Sequence, residues 1–120
     1  MAAKDEFGRA GEERAAAHLR SCGYAILDRN WRCPQGEIDI VAISDGMLCI
    51  VEVKTRRSES FGHPFEAIDE RKRQRLWHLA FAWAAAHPDV ARRRQLRLEV
   101  VGLLGADART ARIEHLVDLL

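Results

Sequence analysis

Four charged residues carry the strongest chemical signal in the chain: Glu12, Asp39, Glu52 and Lys54. The last three fall in two apolar-rich runs, Glu37 to Ile43 and Leu48 to Thr55, separated by Ser44-Asp45-Gly46-Met47. Asp-Gly between such runs signals a hairpin with a two-residue turn. With Asp45 and Gly46 as the turn, Ser44 pairs with Met47. The register then sets Ile43 against Leu48, Val41 against Ile50, Asp39 against Glu52 and Glu37 against Lys54, all on one face because side chains alternate along a strand. Directly opposed carboxylates repel, and burying them without partners costs more still. A divalent cation between Asp39 and Glu52 answers that cost, and hard oxygen ligands suit magnesium or manganese. Without metal, one of the two acids holds its proton. Lys54, two residues beyond Glu52, points to the same side, where an ammonium can orient an attacking water and stabilise developing charge. This is the chemistry of phosphodiester hydrolysis, in which the ion polarises a phosphoryl oxygen.

The elements that must position these groups follow from periodicity. Asp5 is a plausible N-cap, after which Gly8, Glu12, Ala15, Leu19 and Cys22 form one stripe at spacings of three and four, ending before Gly23. Glu12 therefore points towards the sheet, and Glu13 lies on a flanking face beside Arg9. Tyr24 to Trp31 has strand composition, with a break at Cys33-Pro34-Gln35-Gly36. Thr55 to Pro64 is a polar loop containing Gly62 and Pro64. From Phe65, the residues Ile68, Leu76, Leu79, Ala80 and Trp83 trace the apolar face of a second, longer helix that ends near His87-Pro88. Leu96 to Leu103 and Arg112 to Leu116 read as two further strands. The order α-β-β-β-α-β-β predicts an α/β fold, a central mixed β-sheet flanked by helices.

Composition narrows the class. The 120 residues are 48% hydrophobic and 31% charged, which fits one soluble domain over residues 1–120 rather than a disordered or fibrous chain. No apolar h-region precedes the first helix, and the longest apolar stretch, Leu79 to Ala86, falls far short of the roughly 20 residues that span a bilayer. Cys22, Cys33 and Cys49 are odd in number, widely spaced and without a CxxC pairing, which suits a reducing, cytoplasmic setting and suggests neither a disulfide framework nor a zinc site. Net charge is only +1, but residues 54–97 hold 11 Lys and Arg against 5 Asp and Glu. Arg32, Arg56, Arg57, Arg71, Lys72 and Arg73 are accordingly candidates for gripping phosphates.

Each signal has a plainer alternative. Glu-x-Lys on a strand also describes a solvated face, and the helix dipole favours Glu12 near an N-terminus without any catalytic role. A hairpin bulge would break the register. Basic residues on a helix also serve solubility. His18, His63, His78, His87 and His115 share no spacing and read as surface or core-edge side chains. Trp31 and Trp77 are candidates for stacking on bases, whereas Trp83 lies on the apolar face.

The arrangement resembles the PD-(D/E)XK restriction-endonuclease-like superfamily, whose core helix and three-stranded meander carry Glu, then Asp, then Glu-x-Lys. More narrowly the chain is similar to the YraN-like family of uncharacterised bacterial proteins. The residues that carry this are Gly8-x-x-Gly11-Glu12, Gly23-Tyr24, Arg29-Asn30-x-Arg32, Gly36-Glu37-Ile38-Asp39, Val51-Glu52-Val53-Lys54-x-Arg56 and Lys72. One departure is Leu98-Glu99-Val100, where the family more often has an aromatic followed by Asp. The resemblance implies an endonuclease-like fold with Glu12, Asp39, Glu52 and Lys54 as catalytic residues and magnesium or manganese as cofactor. The placing of the same residues is similar to archaeal-type Holliday junction resolvases, which implies branched or structured DNA as substrate. The alternative is a non-catalytic nucleic-acid-binding module of a repair, recombination or uptake assembly. A domain this small reaches both strands more easily as a homodimer.

Overall fold

The computed structural model describes residues 3–60, 62–63, 65 and 68–118. Helix α1 (Ala3–Ser21) is followed by strands β1 (Ala25–Cys33), β2 (Gly36–Ser44) and β3 (Met47–Arg56). Helices α2 (Glu70–Ala86) and α3 (Pro88–Ala91) then lead to strands β4 (Leu96–Leu104) and β5 (Arg112–Val117). The five strands form one sheet in the order β1-β2-β3-β4-β5, antiparallel except for the parallel β3–β4 pair. A parallel neighbour requires a crossover, and α2 supplies it. The fold is the expected mixed α/β sheet flanked by helices, with the short α3 as an addition.

The two faces of the sheet carry two apolar cores. Ile40, Ala42, Cys49, Val51, Val53, Val101 and Leu103 pack under Ala15, Ala16 and Leu19 of α1. Val41, Leu48, Ile50, Leu98 and Val100 pack under Leu76, Leu79, Ala80 and Trp83 of α2. Helix α1 comes very close to β3: a Cβ built on Gly11 would collide with the Thr55 hydroxyl and lie 2.9 Å from the Thr55 methyl carbon. Glycine at position 11 thus lets the helix seat against the end of β3, with Glu12 near enough to Glu52 to feel its charge. No helix among the described residues is long and apolar enough to cross a membrane.

Several boundaries differ from the expected ones. Helix α1 begins at Ala3, so position 5 lies inside its first turn rather than at the cap. Cys22 falls beyond the helix and is exposed. Strand β1 continues to Cys33 and turns directly into β2, because Gly36 adopts φ 144, a conformation that side chains resist. Helix α2 starts at Glu70 instead of Phe65: Asp69 is the N-cap, its Oδ1 accepting from the Lys72 amide at 2.9 Å. Pro64, expected in the preceding loop, lies outside the described residues.

One charged side chain among the described residues is fully buried. Glu99 on β4 is 0% exposed. Its Oε1 accepts from Tyr24 Oη at 2.8 Å and from His115 Nε2 at 2.6 Å, and its Oε2 accepts from Arg97 Nε at 2.9 Å. Burial alone would raise its pKa, but bonds from His115, Cys49, Tyr24 and Arg97 prevail and hold it down at about 2, against an ordinary 4.5. Because the folded value lies below the unfolded one, this group stabilises the fold fully above about pH 4.5, and the contribution drains away as pH falls towards 2. Roughly 3 kcal/mol at neutral pH is the corresponding scale. Glu99→Gln is expected to lower thermal stability at pH 7 and to flatten its acid dependence below pH 4.5. Unfolding curves collected from pH 7 down to pH 3 measure both effects, and parallel curves for the two proteins would contradict the assignment.

Candidate functional site

The β2–β3 hairpin follows the expected register for five pairs, from Ser44 with Met47 to Ile40 with Val51, around the turn residues Asp45 (φ 52) and Gly46 (φ 76). Val41 opposes Ile50, and Ile43 opposes Leu48. The regular pairing stops there: neither Asp39 with Glu52 nor Glu37 with Lys54 continues the ladder. Instead Asp39 Oδ2 accepts a hydrogen bond from the Val53 amide at 2.8 Å, so a side chain joins the strands where a backbone carbonyl would otherwise do so. Alternation also slips here, since Ile38 and Val41 enter the same core beneath α2 while Ile40 faces α1. Four charged residues on one plain face is therefore corrected to a fork in the sheet with Asp39 at its crotch. Repulsion between opposed carboxylates is the physical reason that a regular ladder is unfavourable at this point.

Strand β1 is irregular at the same level. Arg29 pairs with Ile40 and Trp31 with Ile38, which leaves Asn30 abreast of Asp39. Asn30 has φ 53, a left-handed conformation that Asn tolerates better than most residues. With its amide nitrogen turned inward, Asn30 donates to Glu12 Oε1 at 2.8 Å and to Glu37 Oε1 at 3.1 Å, binding α1 to β2. Arg29 Nη1 meets Glu13 Oε1 at 2.7 Å alongside. A cavity of about 330 Å³ opens here, lined by Arg9, Ala10, Glu12, Glu13, Arg29 and Asn30.

Charge is concentrated at the fork. Burial, then repulsion by Glu52, then a shared hydrogen bond with the Glu52 carboxyl outweigh the Val53 amide and push Asp39 up to about 8. Glu12 is also raised, first by burial and then by Glu37, with Glu52 contributing, although Arg29 opposes the shift. Lys54 Nζ stands 3.9 Å from Glu52 Oε1, and the two side chains are only 18% and 14% exposed. Lys72 of α2 reaches Lys54, whose charge, followed by burial, lowers the Lys72 pKa.

The structure thus gathers Asp39, Glu52 and Lys54, with Glu12 at their margin and Lys72 reaching in from α2. The remaining basic residues do not form one patch. Arg32 lies near Glu37 at 3.8 Å, close to the acids, while Arg71 is exposed on the outside of α2. Arg56 bonds to the Thr55 carbonyl, and Arg73 is held by Glu70 at 2.5 Å. Arg57 turns away from the fork, donating to the Ala106 carbonyl at 3.1 Å and covering the Phe7 ring at 4.0 Å. Asn30 and Glu37 join the cluster without having been singled out for chemistry. An Asn inside a run of strand-type residues was the available signal for the first.

The donor set fits a hard divalent cation. Among the described residues no group of three or more His, Cys, Asp or Glu gathers to hold a metal, so an ion here would rest on Asp39 and Glu52 and complete its shell with water. Magnesium commonly binds in this way, through one or two carboxylates. The sign of the Asp39 shift gives a test. The folded value near 8 exceeds the unfolded 3.8, so the native state binds more protons between them, and this group's contribution to stability falls as pH rises across that window. Asp39→Asn keeps an acceptor for the Val53 amide and removes the repulsion. We expect it to raise the melting temperature of the metal-free protein at pH 8 by about 4–8 °C, a shift of the order that one kcal/mol produces in a small domain. Thermal unfolding in chelator from pH 5 to pH 8 decides, and a variant that melts lower throughout would contradict this electrostatic reading.

Comparison with known proteins is uniform in outcome. Residues 11–103 match the family described as "Uncharacterised protein family UPF0102". A UPF0102 protein of Arthrobacter sp. (strain FB24) is 52% identical over 116 residues, covering 97% of each chain. One from Paenarthrobacter aurescens (strain TC1) is 49% identical, covering 97% of this chain and 94% of its own. Another, from Kineococcus radiotolerans, is 45% identical, covering 98% of this chain and 95% of its own. The chain belongs to the uncharacterised protein family UPF0102.

Proposed function

We propose that the protein is a metal-dependent nuclease of the PD-(D/E)XK type that hydrolyses phosphodiester bonds in DNA, including branched or structured DNA. The observation that carries this is the pair Asp39 and Glu52, two half-buried carboxyls on adjacent strands, near enough for the charge of Glu52 to push the Asp39 pKa up, with Lys54 Nζ 3.9 Å from Glu52 Oε1. Such a pair is costly to hold together in water-poor surroundings and becomes favourable once a cation lies between the acids. The superfamily resemblance supports the same reading through the order Glu12, Asp39, Glu52, Lys54.

In this reading Asp39 and Glu52 would hold magnesium or manganese, which would supply Lewis-acid polarisation of a phosphoryl oxygen when bound. Lys54, desolvated beside Glu52, orients the attacking water through its ammonium hydrogens and stabilises charge as it develops on the phosphate. Lys72 brings a second positive charge for the phosphate of the bound strand. Glu12, fixed by Asn30, accepts hydrogen bonds from water entering from the α1 side.

A second reading is a nucleic-acid-binding module that cleaves nothing, and the small donor set of two carboxylates favours it. One experiment separates the two. Purified protein incubated with branched, single-stranded and duplex DNA plus magnesium or manganese is expected to cleave at least one substrate. Cleavage should be lost with chelator and reduced about 10²–10³-fold in Lys54→Ala, the usual scale for a missing electrostatic stabiliser, and abolished in Glu52→Ala. Metal-independent binding without cleavage supports the module, and cleavage that persists in Glu52→Ala overturns the proposed site.

A further inference from the structure

The outer face of α2 presents aromatic side chains that the proposed site does not use. Trp77 and Phe81, one helical turn apart, stack with centroids 5.8 Å apart and ring planes 23° from parallel. Trp77 is partly buried against the core beneath α2. Phe81 is 58% exposed, the most exposed large hydrophobic residue among those described. A ring so fully offered to water, yet backed by a second ring anchored in the core, is a flat and rigid apolar surface.

Its surroundings indicate what it faces. Arg73 lies one turn before Trp77 on the same face, and Arg71, Lys72 and Arg75 lie in the same half of the helix on its other faces. Lys72 lies near enough to Lys54 for the charge of Lys54 to act on it, so this basic stretch begins near the fork. The five residue steps from Lys72 to Trp77 rise about 7.5 Å along the helix, about two stacked nucleotide steps. Glu70 is the sole acid in α2, and it is already bonded to Arg73 and Gln74. A second copy meeting α2 with its own α2 would answer the rings but offer the cations no further anionic group. A nucleic acid strand with unpaired bases supplies both, phosphates for the cations and π-faces for the rings.

We propose that the Trp77–Phe81 stack is a platform for unpaired bases of a single-stranded stretch of nucleic acid, whose phosphates pass along the basic half of α2 to the fork. This deepens the nuclease proposal and rests on its choice of a nucleic acid partner. The platform selects substrates with unpaired nucleotides beside the scissile phosphate, because a base inside a duplex has no free face to stack.

The test measures equilibrium binding, in chelator, of a labelled oligothymidylate and of a duplex of equal length. The proteins are wild type, Phe81→Ala, Phe81→Leu and Phe81→Tyr. Phe81→Ala and Phe81→Leu should weaken oligothymidylate binding by about 5- to 150-fold and leave duplex binding nearly unchanged, the usual worth of one base–aromatic stack. Phe81→Tyr, which restores an aromatic face, should bind like wild type. Wild-type affinity in Phe81→Leu overturns the platform while leaving the nuclease reading intact if magnesium-dependent cleavage is retained. Absence of any nucleic acid binding by wild type overturns both. A wild-type dimer in sedimentation that Phe81→Leu dissociates, without change in oligothymidylate affinity, assigns the rings to self-association and overturns the platform too.

Discussion

Two carboxylates pressed together at a fork in a β-sheet are the constraint on which the rest depends. Asp39 and Glu52 reach the same point from adjacent strands, in a place too dry to disperse their charge, and Asp39 is driven up to about 8 as a result. Proteins seldom keep such an arrangement without a compensating role, because apolar residues of similar size would avoid the cost. The irregularities nearby make sense around it. The ladder stops, Asp39 borrows the Val53 amide, Asn30 takes a left-handed backbone, and Lys54 and Lys72 bring positive charge from two elements.

The chain holds a built-in control. Glu99 is more deeply buried than either acid at the fork, yet it is held down at about 2, with protein donors around it: His115, Tyr24 and Arg97. Burial by itself therefore does not decide how a carboxyl behaves in this protein. What distinguishes the fork is that its acids face each other with few donors among the described residues. Glu99 sits in a network of protein donors, whereas at the fork the Val53 amide and Lys54 are set against mutual repulsion. Opposite environments for two carboxyls in one fold are how structural and chemical roles become separable.

Local chemistry explains what the sequence made legible. Asp45-Gly46 specified a two-residue turn, and five hairpin pairs followed from it because register propagates by simple counting. Apolar periodicity placed α2 on the sheet through Leu76, Leu79, Ala80 and Trp83. Counting failed where a side chain entered the backbone pattern: nothing local announces that Asp39 will take the Val53 amide, or that β2 will slip between Ile38 and Val41. Asn30 stood in a motif of the resemblance, but its role was hidden for a similar reason, since its partners Glu12 and Glu37 come from other elements. Arg57 looked like part of a basic patch by position, and only the packing of Phe7 and the Ala106 loop turned it away. Glu99 stood out in the sequence as a departure, but its meaning needed Tyr24 and His115, residues 75 and 16 positions distant.

Calorimetric titration of manganese into the wild-type protein and into Asp39→Asn tests the central claim most directly, since it asks for the ion itself and not for any reaction. The account predicts binding by the wild type and its loss in the variant. Equal binding by the two proteins, or none by the wild type, would contradict it.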